Sequence, residues 1–320
     1  MQKYFYSESV KSQLEAKFGA NSSIVGKSTH RFPESAEREY IRAVNQYMKA
    51  VKLVIEKEMP GLKEEYRRQL NELNELNDEI RMDGIFDLHA FITDFFDRIN
   101  EKLSTMGATQ RLLTQLFKIG AITKKTEISE WRRMVRKTLN VDLSKDYYNG
   151  DFFEEELRQW VSDNVDLIKT VPNDMLGKMK ETIEYGYSKG LSASDIGSLI
   201  QQNYSMSKRH AKFIARDQMA KLSANITRKE HEDAGVSRYK WSTSDDERVR
   251  PGHSILDGKI FEYNNPPEIM EWRENKHGGH WVNTGRRCNP GEDFNCRCVG
   301  IPVFDKDTLN LPLEDDDRSK

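Results

Sequence analysis

Cys296 and Cys298, one residue apart in Asn-Cys-Arg-Cys, are joined upstream by Cys288 and His253, and together these side chains are the set best suited to chemistry in the sequence. Thiolate and imidazole are the ligands that a tetrahedral zinc prefers. The spacing differs from the paired Cys-x-x-Cys of a zinc knuckle, and Arg297 between the two cysteines would have to point away. The expected ligands are His253, Cys296 and Cys298, with Cys288 or His280 as the fourth. The competing reading makes the cysteines small buried groups and lets His253 hydrogen-bond the turn at Asp257. Three cysteines are an odd number, and a one-residue gap is poor geometry for a mutual bridge, so reduced thiols or metal ligands are expected rather than a disulfide framework.

A second constellation precedes the first. Asp245, Asp246, Glu247, Arg248, Arg250 and His253 stand close enough to pair with one another, and a structural network locking the loop after Trp241 is the expected outcome. The same residues admit an enzymatic alternative, in which Ser242, Glu247, Arg250 and His253 form an acid–base and anion-binding site. Ser242-Thr243-Ser244 after a strand is similar to the serine motif of ADP-ribosyltransferases, but the later Glu-x-Glu of those enzymes is absent: Glu268 and Glu271 are three apart in what reads as a Pro-rich loop. No Gly-rich phosphate loop, Gly-x-Ser-x-Gly elbow or His-Glu-x-x-His helix occurs.

Trp241, Asp246, Arg248, Arg250, His253, Asp257, Gly258, Cys296, Arg297 and Cys298 form an ordered series, preceded by the helical run Ala211-Lys-Phe-Ile-Ala-Arg-Asp-Gln218. Over Leu191 to Val303 this series resembles the C-terminal signature of the Mu-F-like head morphogenesis proteins of tailed bacteriophages. The resemblance implies a minor head protein of a phage or prophage that acts by binding, without turnover. Its implied partners are the portal protein and a scaffold or capsid protein, with phage DNA as a further one during packaging or delivery. It also implies residence inside the virion head after synthesis in the host cytoplasm. Some relatives carry toxin modules after the domain; here only about twenty mostly polar residues follow Gly300, too few for a folded effector. A toxin-like enzyme, ADP-ribosyltransferase-like or nuclease, is the alternative function.

The elements that must position these residues can be read from hydrophobic period. A short helix around Val10 to Phe18 leads into a loop, and Pro33 suits a helix start. Tyr40, Val44, Tyr47, Met48, Val51 and Ile55 make an apolar stripe on a helix expected to end at Pro60-Gly61, with Leu62 to Arg81 as the second arm of a hairpin. Leu88, Phe91, Ile92, Phe95, Phe96, Ile99 and Leu103 form a third stripe, for which core is the favoured reading, while the helices around Phe91 to Leu103 and the charged hairpin Leu62 to Arg81 are the candidate partner surface. Shorter helices are expected around 111–117, 129–139, 152–168, 175–187 and 194–202, and Gly190 to Lys221 reads as two helices joined by a polar turn. Alternation around Tyr239 and Trp241 predicts a strand, and further strands are expected at Lys259 to Tyr263 and Cys298 to Phe304.

The predicted fold is therefore mainly α with a C-terminal α+β domain: a helical, partner-binding region over 1–206, the mixed domain over 207–305, and an acidic disordered tail over 306–320. The net charge of −2 gives no global drive toward nucleic acid. Ser207 to Trp241, however, holds nine Lys or Arg against four Asp or Glu, and Lys208, Arg209, Lys212, Arg216 and Lys221 are the candidate nucleic-acid contacts. No apolar run long enough for a membrane span and no secretory signal is read, so no membrane partner is expected.

Overall fold

The computed structural model describes residues 4–27, 31–75, 81–144, 150–189, 191–247, 249–276 and 278–313. In chain order the elements are α1 (Glu8–Phe18), β1 (Ser23–Val25), α2 (Glu34–Glu75), α3 (Arg81–Thr105), α4 (Ala108–Leu139), α5 (Glu154–Ser188), α6 (Ala193–Asp233), β2 (Arg238–Ser242), α7 (Pro251–Ser254), β3 (Ile260–Glu262), β4 (Glu268–Asn275), β5 (Gly278–Arg287) and β6 (Val299–Asp305). The architecture is mainly α with a C-terminal α+β region, as the periodicity predicts. Among the described residues no helix is long and apolar enough to cross a membrane.

The helices are fewer and longer than the breakers suggest. Pro60 lies inside α2 and Pro172 inside α5. A proline in a helix interior removes one hydrogen bond and crowds the preceding turn, at a cost of about 3 kcal/mol. In α2 that is offset by burial on both sides of the break, with Val51, Val54 and Ile55 before it and Leu62 and Tyr66 after it. A hairpin at Pro60-Gly61 is therefore not formed. Likewise, α4 joins the two helices expected around 111–117 and 129–139, and α6 is one helix where a polar turn was expected.

The chain forms two compact units. One comprises Arg38–Lys118 and Val161–Ala215, and its regular elements among the described residues are helices. Its core includes Tyr40, Met48, Ile92, Phe95, Ile99, Val171, Met175 and Met179, all almost fully buried. Buried Tyr40 and Asn164 share a hydrogen bond, and Phe95 meets Phe96 edge-on with ring centres 5.2 Å apart. The stripe running from Ile92 to Leu103 is thus core, which removes it as a partner-binding face.

The other unit comprises Met1–Glu37, Ile119–Trp160 and Arg216–Lys320, so the residue 206/207 boundary read from the sequence falls inside α6. Its sheet is antiparallel in the order β1-β6-β2-β3, with Ser23 opposite Asp305, Tyr239 opposite Pro302 and Tyr239 opposite Phe261. Trp131 of α4 stacks on Phe304 of β6 at 5.8 Å and packs beside His231 of α6, whose Nδ1 lies 2.6 Å from the Tyr263 hydroxyl. A separate hairpin pairs β4 with β5, so Glu268 and Glu271 lie on a strand and not in a loop. Disorder from residue 306 is also overturned as far as 313: Thr308 donates to the Gly235 carbonyl at 2.9 Å, Asn310 accepts from the Tyr4 amide at 3.0 Å, and Leu311 is fully buried. The rest of that tail, 314–320, lies outside the described residues.

Two buried carboxylates meet where α4 packs on α6. Glu127 accepts from Ser223 at 2.7 Å, and Glu230 is buried nearby. Burial, then the proximity of Glu127, pushes the Glu230 carboxyl well above its ordinary value against the opposing pull of Arg132. An unfolded Glu ionises near about 4.3, so above that pH the folded state holds the extra proton and stability falls as pH rises toward the folded value. Glu230→Gln is expected to flatten this slope and to raise the unfolding temperature at about pH 8. A Gln variant less stable there, with the slope unchanged, would contradict the assignment.

Candidate functional site

The site is built by three segments converging on the sheet. Trp241 is fully buried on β2, and its carbonyl accepts from the Gly258 amide at 2.8 Å, closing the turn at Asp257-Gly258. Pro251 opens the single turn α7, which brings His253 beneath the indole, with ring centres 5.6 Å apart and nearly perpendicular. Gly252 is required there because the β4 backbone crosses it: a Cβ would stand 1.8 Å from the Met270 carbonyl oxygen. The third segment is the loop 288–298. Its Gly291 takes φ +86 against Ala224 of α6, and Asn295 takes φ 48 with its amide donating to Asp217 at 2.8 Å. Helix α6 therefore holds the turn that presents Cys296 and Cys298.

His253, Cys296 and Cys298 are brought together with exposures of only 3%, 4% and 6%. His253 Nδ1 lies 3.4 Å from Cys296 Sγ and 3.6 Å from Cys298 Sγ. The Cys298 amide donates to Cys296 Sγ at 3.4 Å. The expected fourth ligands are elsewhere: Cys288 is outside this group and packs half-buried against the Tyr239 and Trp241 cluster, and His280 is exposed on β5 opposite Arg273.

Asp293 organises the surroundings. It is 5% exposed and accepts from His253 Nε2 at 3.1 Å, Arg250 at 2.7 Å, Arg286 at 2.6 Å and the Phe294 amide at 3.0 Å. Arg286 reaches on to Glu271 at 3.1 Å, and Arg250 also donates to the Phe294 carbonyl. Burial would raise the Asp293 carboxyl, but His253 and the other donors outweigh it and hold the group at about 2. Burial likewise opposes a charge on His253, and the bonds to Asp293 and Cys296 carry it to about 9 instead. Cys296 is drawn well below the ordinary thiol value by Cys298 and then His253, while Cys298 is driven up by sharing that contact. Cys288 is raised to about 12 by burial and then by Asp293.

The charged residues of 245–253 find partners on the later loop in place of the mutual pairing expected of them, with Arg250 and His253 both meeting Asp293. Asp246 pairs with Arg297, and Asp257 accepts from the Thr243 amide at 2.8 Å and its hydroxyl at 3.1 Å. His253 bonds Asp293 and not the Asp257 turn. Arg248 and His277 lie outside the described residues. Of the alternative catalytic set, Arg250 and His253 meet at Asp293, whereas Ser242 and Glu247 make no hydrogen bond or ion pair with either among the described residues. A cleft of about 240 Å³ does open beside Ser244, Arg250, His253, Cys296 and Arg297.

Lys208, Arg209, Lys212, Arg216 and Lys221 all lie on α6. Arg216 pairs with Glu37 at 3.1 Å, and Lys221 pairs with Asp217 at 2.7 Å while standing 5.1 Å from the Phe294 ring centre. Arg209 and Lys212 are exposed. Sequence reasoning missed Asp293, Arg286, Glu271 and Asp217. Asp293 carried a signal, since it stands three residues before Cys296 in a Pro-Gly turn segment, where a loop carboxylate can face the loop's own ligands.

Residues 177–301 match the family described as Phage Mu protein F like protein. An uncharacterized protein of Haemophilus influenzae is 35% identical over 171 residues, covering 53% of this chain and 34% of that protein. An Enterococcus faecalis protein named NAD(+)--arginine ADP-ribosyltransferase EFV is 28% identical over 153 residues, covering 46% of this chain and 29% of that protein. The chain thus spans about a third of the length of these curated relatives. No solved structure matches. The matched stretch, residues 177–301, runs from within α5 to β6 and includes the His253, Cys296 and Cys298 cluster, and over it the chain is similar to the Phage Mu protein F like family.

Proposed function

We propose that the chain is a minor head protein that acts by binding: it joins the procapsid through the portal protein or a scaffold or capsid protein, and stays inside the virion head. The observation that carries this reading is the pairing of the signature's charges among the described residues. Asp293 takes Arg250, Arg286 and His253, Asp246 takes Arg297, and Asp257 takes Thr243, leaving a locked loop of the kind a binding scaffold needs. An enzymatic reading is less favoured because Ser242 and Glu247 do not join His253. The transferase name belongs to a relative matched over 29% of its own length.

A surface for the partner is available in the helical unit. Ile55, Met59, Pro60, Met179, Ile200 and Tyr204 line a groove of about 580 Å³ formed by α2, α5 and α6, with Lys52, Glu56, Lys63, Glu64 and Arg67 around it. Apolar walls with a charged rim suit a protein segment. The test is co-purification of the full chain with the portal, scaffold and capsid proteins of the same phage. Met59→Glu, which places a charge among the apolar walls, is expected to lower retention of the partner about tenfold or more. Retention of none of these proteins by the native chain would defeat the proposal. Truncation before Ser207 is not a usable control, because it removes β1 from the sheet.

Phage DNA is a secondary partner, through exposed Arg209 and Lys212; Arg216 and Lys221 are engaged in ion pairs. Retention on DNA is expected to fall steeply with salt. Retention that is unchanged by salt, or absent at low salt, would remove DNA from the proposed partners.

A further inference from the structure

We propose that His253 Nδ1, Cys296 Sγ and Cys298 Sγ hold one zinc ion, whose fourth coordination position opens on the cleft beside Arg250 and Arg297.

Distance supports this first. Zinc bonds of about 2.0–2.1 Å to nitrogen and 2.3 Å to sulfur, at a tetrahedral angle, set N and S about 3.6 Å apart. The two observed separations are 3.4 and 3.6 Å. All three ligand atoms lie within 4.8 Å of one another.

Valence supports it next. Nδ1 has a single lone pair or a single N–H, so it cannot form a good hydrogen bond to two sulfurs at once. Two sulfurs placed at nearly equal distances from one ring nitrogen are instead explained by a common centre bound by all three. The other ring nitrogen points at Asp293, itself fixed by Arg250 and Arg286. Histidines that bind metal commonly give their second N–H to such a carboxylate, which sets the tautomer and the ring plane. The Cys298 amide directed at Cys296 Sγ would stabilise a thiolate ligand in the same way.

The number of ligands sets the character of the site. Structural zinc sites close with four protein ligands, whereas sites with three keep a position for water or an incoming group. Cys288 and His280 are not in the cluster, and the cleft lined by Ser244, Arg250 and Arg297 reaches His253, Cys296 and Cys298. An anionic oxygen, from a carboxylate or a phosphate, is the class of ligand that this position and the adjoining guanidinium groups would accept.

Cys296, His253 and Asp293 also stand in the order of a thiol, imidazole and carboxylate relay. A nucleophile, however, gives no role to Cys298 at 3.6 Å from the same nitrogen, and both thiols are more than nine-tenths buried.

The test is metal content, which is read independently of any role in head assembly. The full chain, purified under reductant without chelator, is expected to contain about one zinc per chain by elemental mass spectrometry. Cys288→Ala is expected to keep it, and the Cys296→Ala/Cys298→Ala double variant to fall below about a tenth of it. Should the double variant fail to fold, cobalt substitution of the native chain decides: sulfur-to-cobalt charge transfer with tetrahedral visible bands is expected. A reduced native chain that takes up neither zinc nor cobalt would overturn the proposal. So would loss of metal in Cys288→Ala, or alkylation of Cys296 by iodoacetamide at an undiminished rate in the presence of zinc.

Discussion

Replacing Asp293 with alanine is expected to destabilise the unit that carries the sheet by about 3–5 kcal/mol, the range seen when one partner of a buried charge network is removed. The carboxylate is 5% exposed and binds His253, Arg250, Arg286 and the Phe294 amide. Its removal leaves a histidine 3% exposed and two guanidinium groups without their shared counterion. Arg286→Ala should lose far less, on the order of 1 kcal/mol, because that side chain is 40% exposed and water can replace it. Denaturant unfolding followed by tryptophan fluorescence would measure both, since Trp241 sits against His253. If Asp293→Ala moved the transition no more than Arg286→Ala, the network would be ornamental to stability and the locked-loop reading would fail.

Gly252→Ala is expected to be comparably damaging, at about 3 kcal/mol or more, since overpacking a rigid contact strains both backbones. The added methyl would stand 1.8 Å from the Met270 carbonyl oxygen and 2.9 Å from its carbon, so α7 and β4 must move apart. That motion would drag His253 away from Cys296 and Cys298. Gly258→Ala is the matched control: it has φ +74 but nothing within 4 Å of the new methyl, so only the left-handed backbone penalty of about 1 kcal/mol applies. The predicted order of unfolding midpoints is native, then Gly258→Ala, then Gly252→Ala. A reversal of the two variants would show that the crossing of β4 over Gly252 yields easily.

These two positions also show what could be read in advance. Strands β2 and β6 were legible because Tyr239, Trp241, Ile301 and Val303 bury large apolar side chains in a short alternating pattern. His253, Cys296 and Cys298 stood out in the sequence because thiol and imidazole side chains are scarce and chemically distinctive, and the fold brings them together. Strand β1 was not, since three residues carry no period and its partner β6 lies almost a full chain length away. The β4–β5 hairpin was hidden by polar residues on both faces, its visible apolar mark being the Trp272 and Trp281 pair with ring centres 5.3 Å apart. Helices α2 and α5 run through proline because tertiary burial outweighs the local penalty, which a local reading cannot weigh. Asp293 was overlooked for a related reason: carboxylates are abundant in this sequence, and only the fold reveals which one meets His253.

The pairing of Ser23–Val25 with Val303–Asp305 sets an order of events during synthesis. Residues 38–118 and 161–215 can leave the ribosome and pack as a helical body while the sheet still lacks its central strand. The first strand must then wait, unpaired, until β6 emerges, and closing so long a loop is entropically slow. A nascent chain stalled before residue 299 would therefore present a finished helical surface and an open sheet edge. A partner that reads the helical surface could engage the chain before β6 completes the sheet.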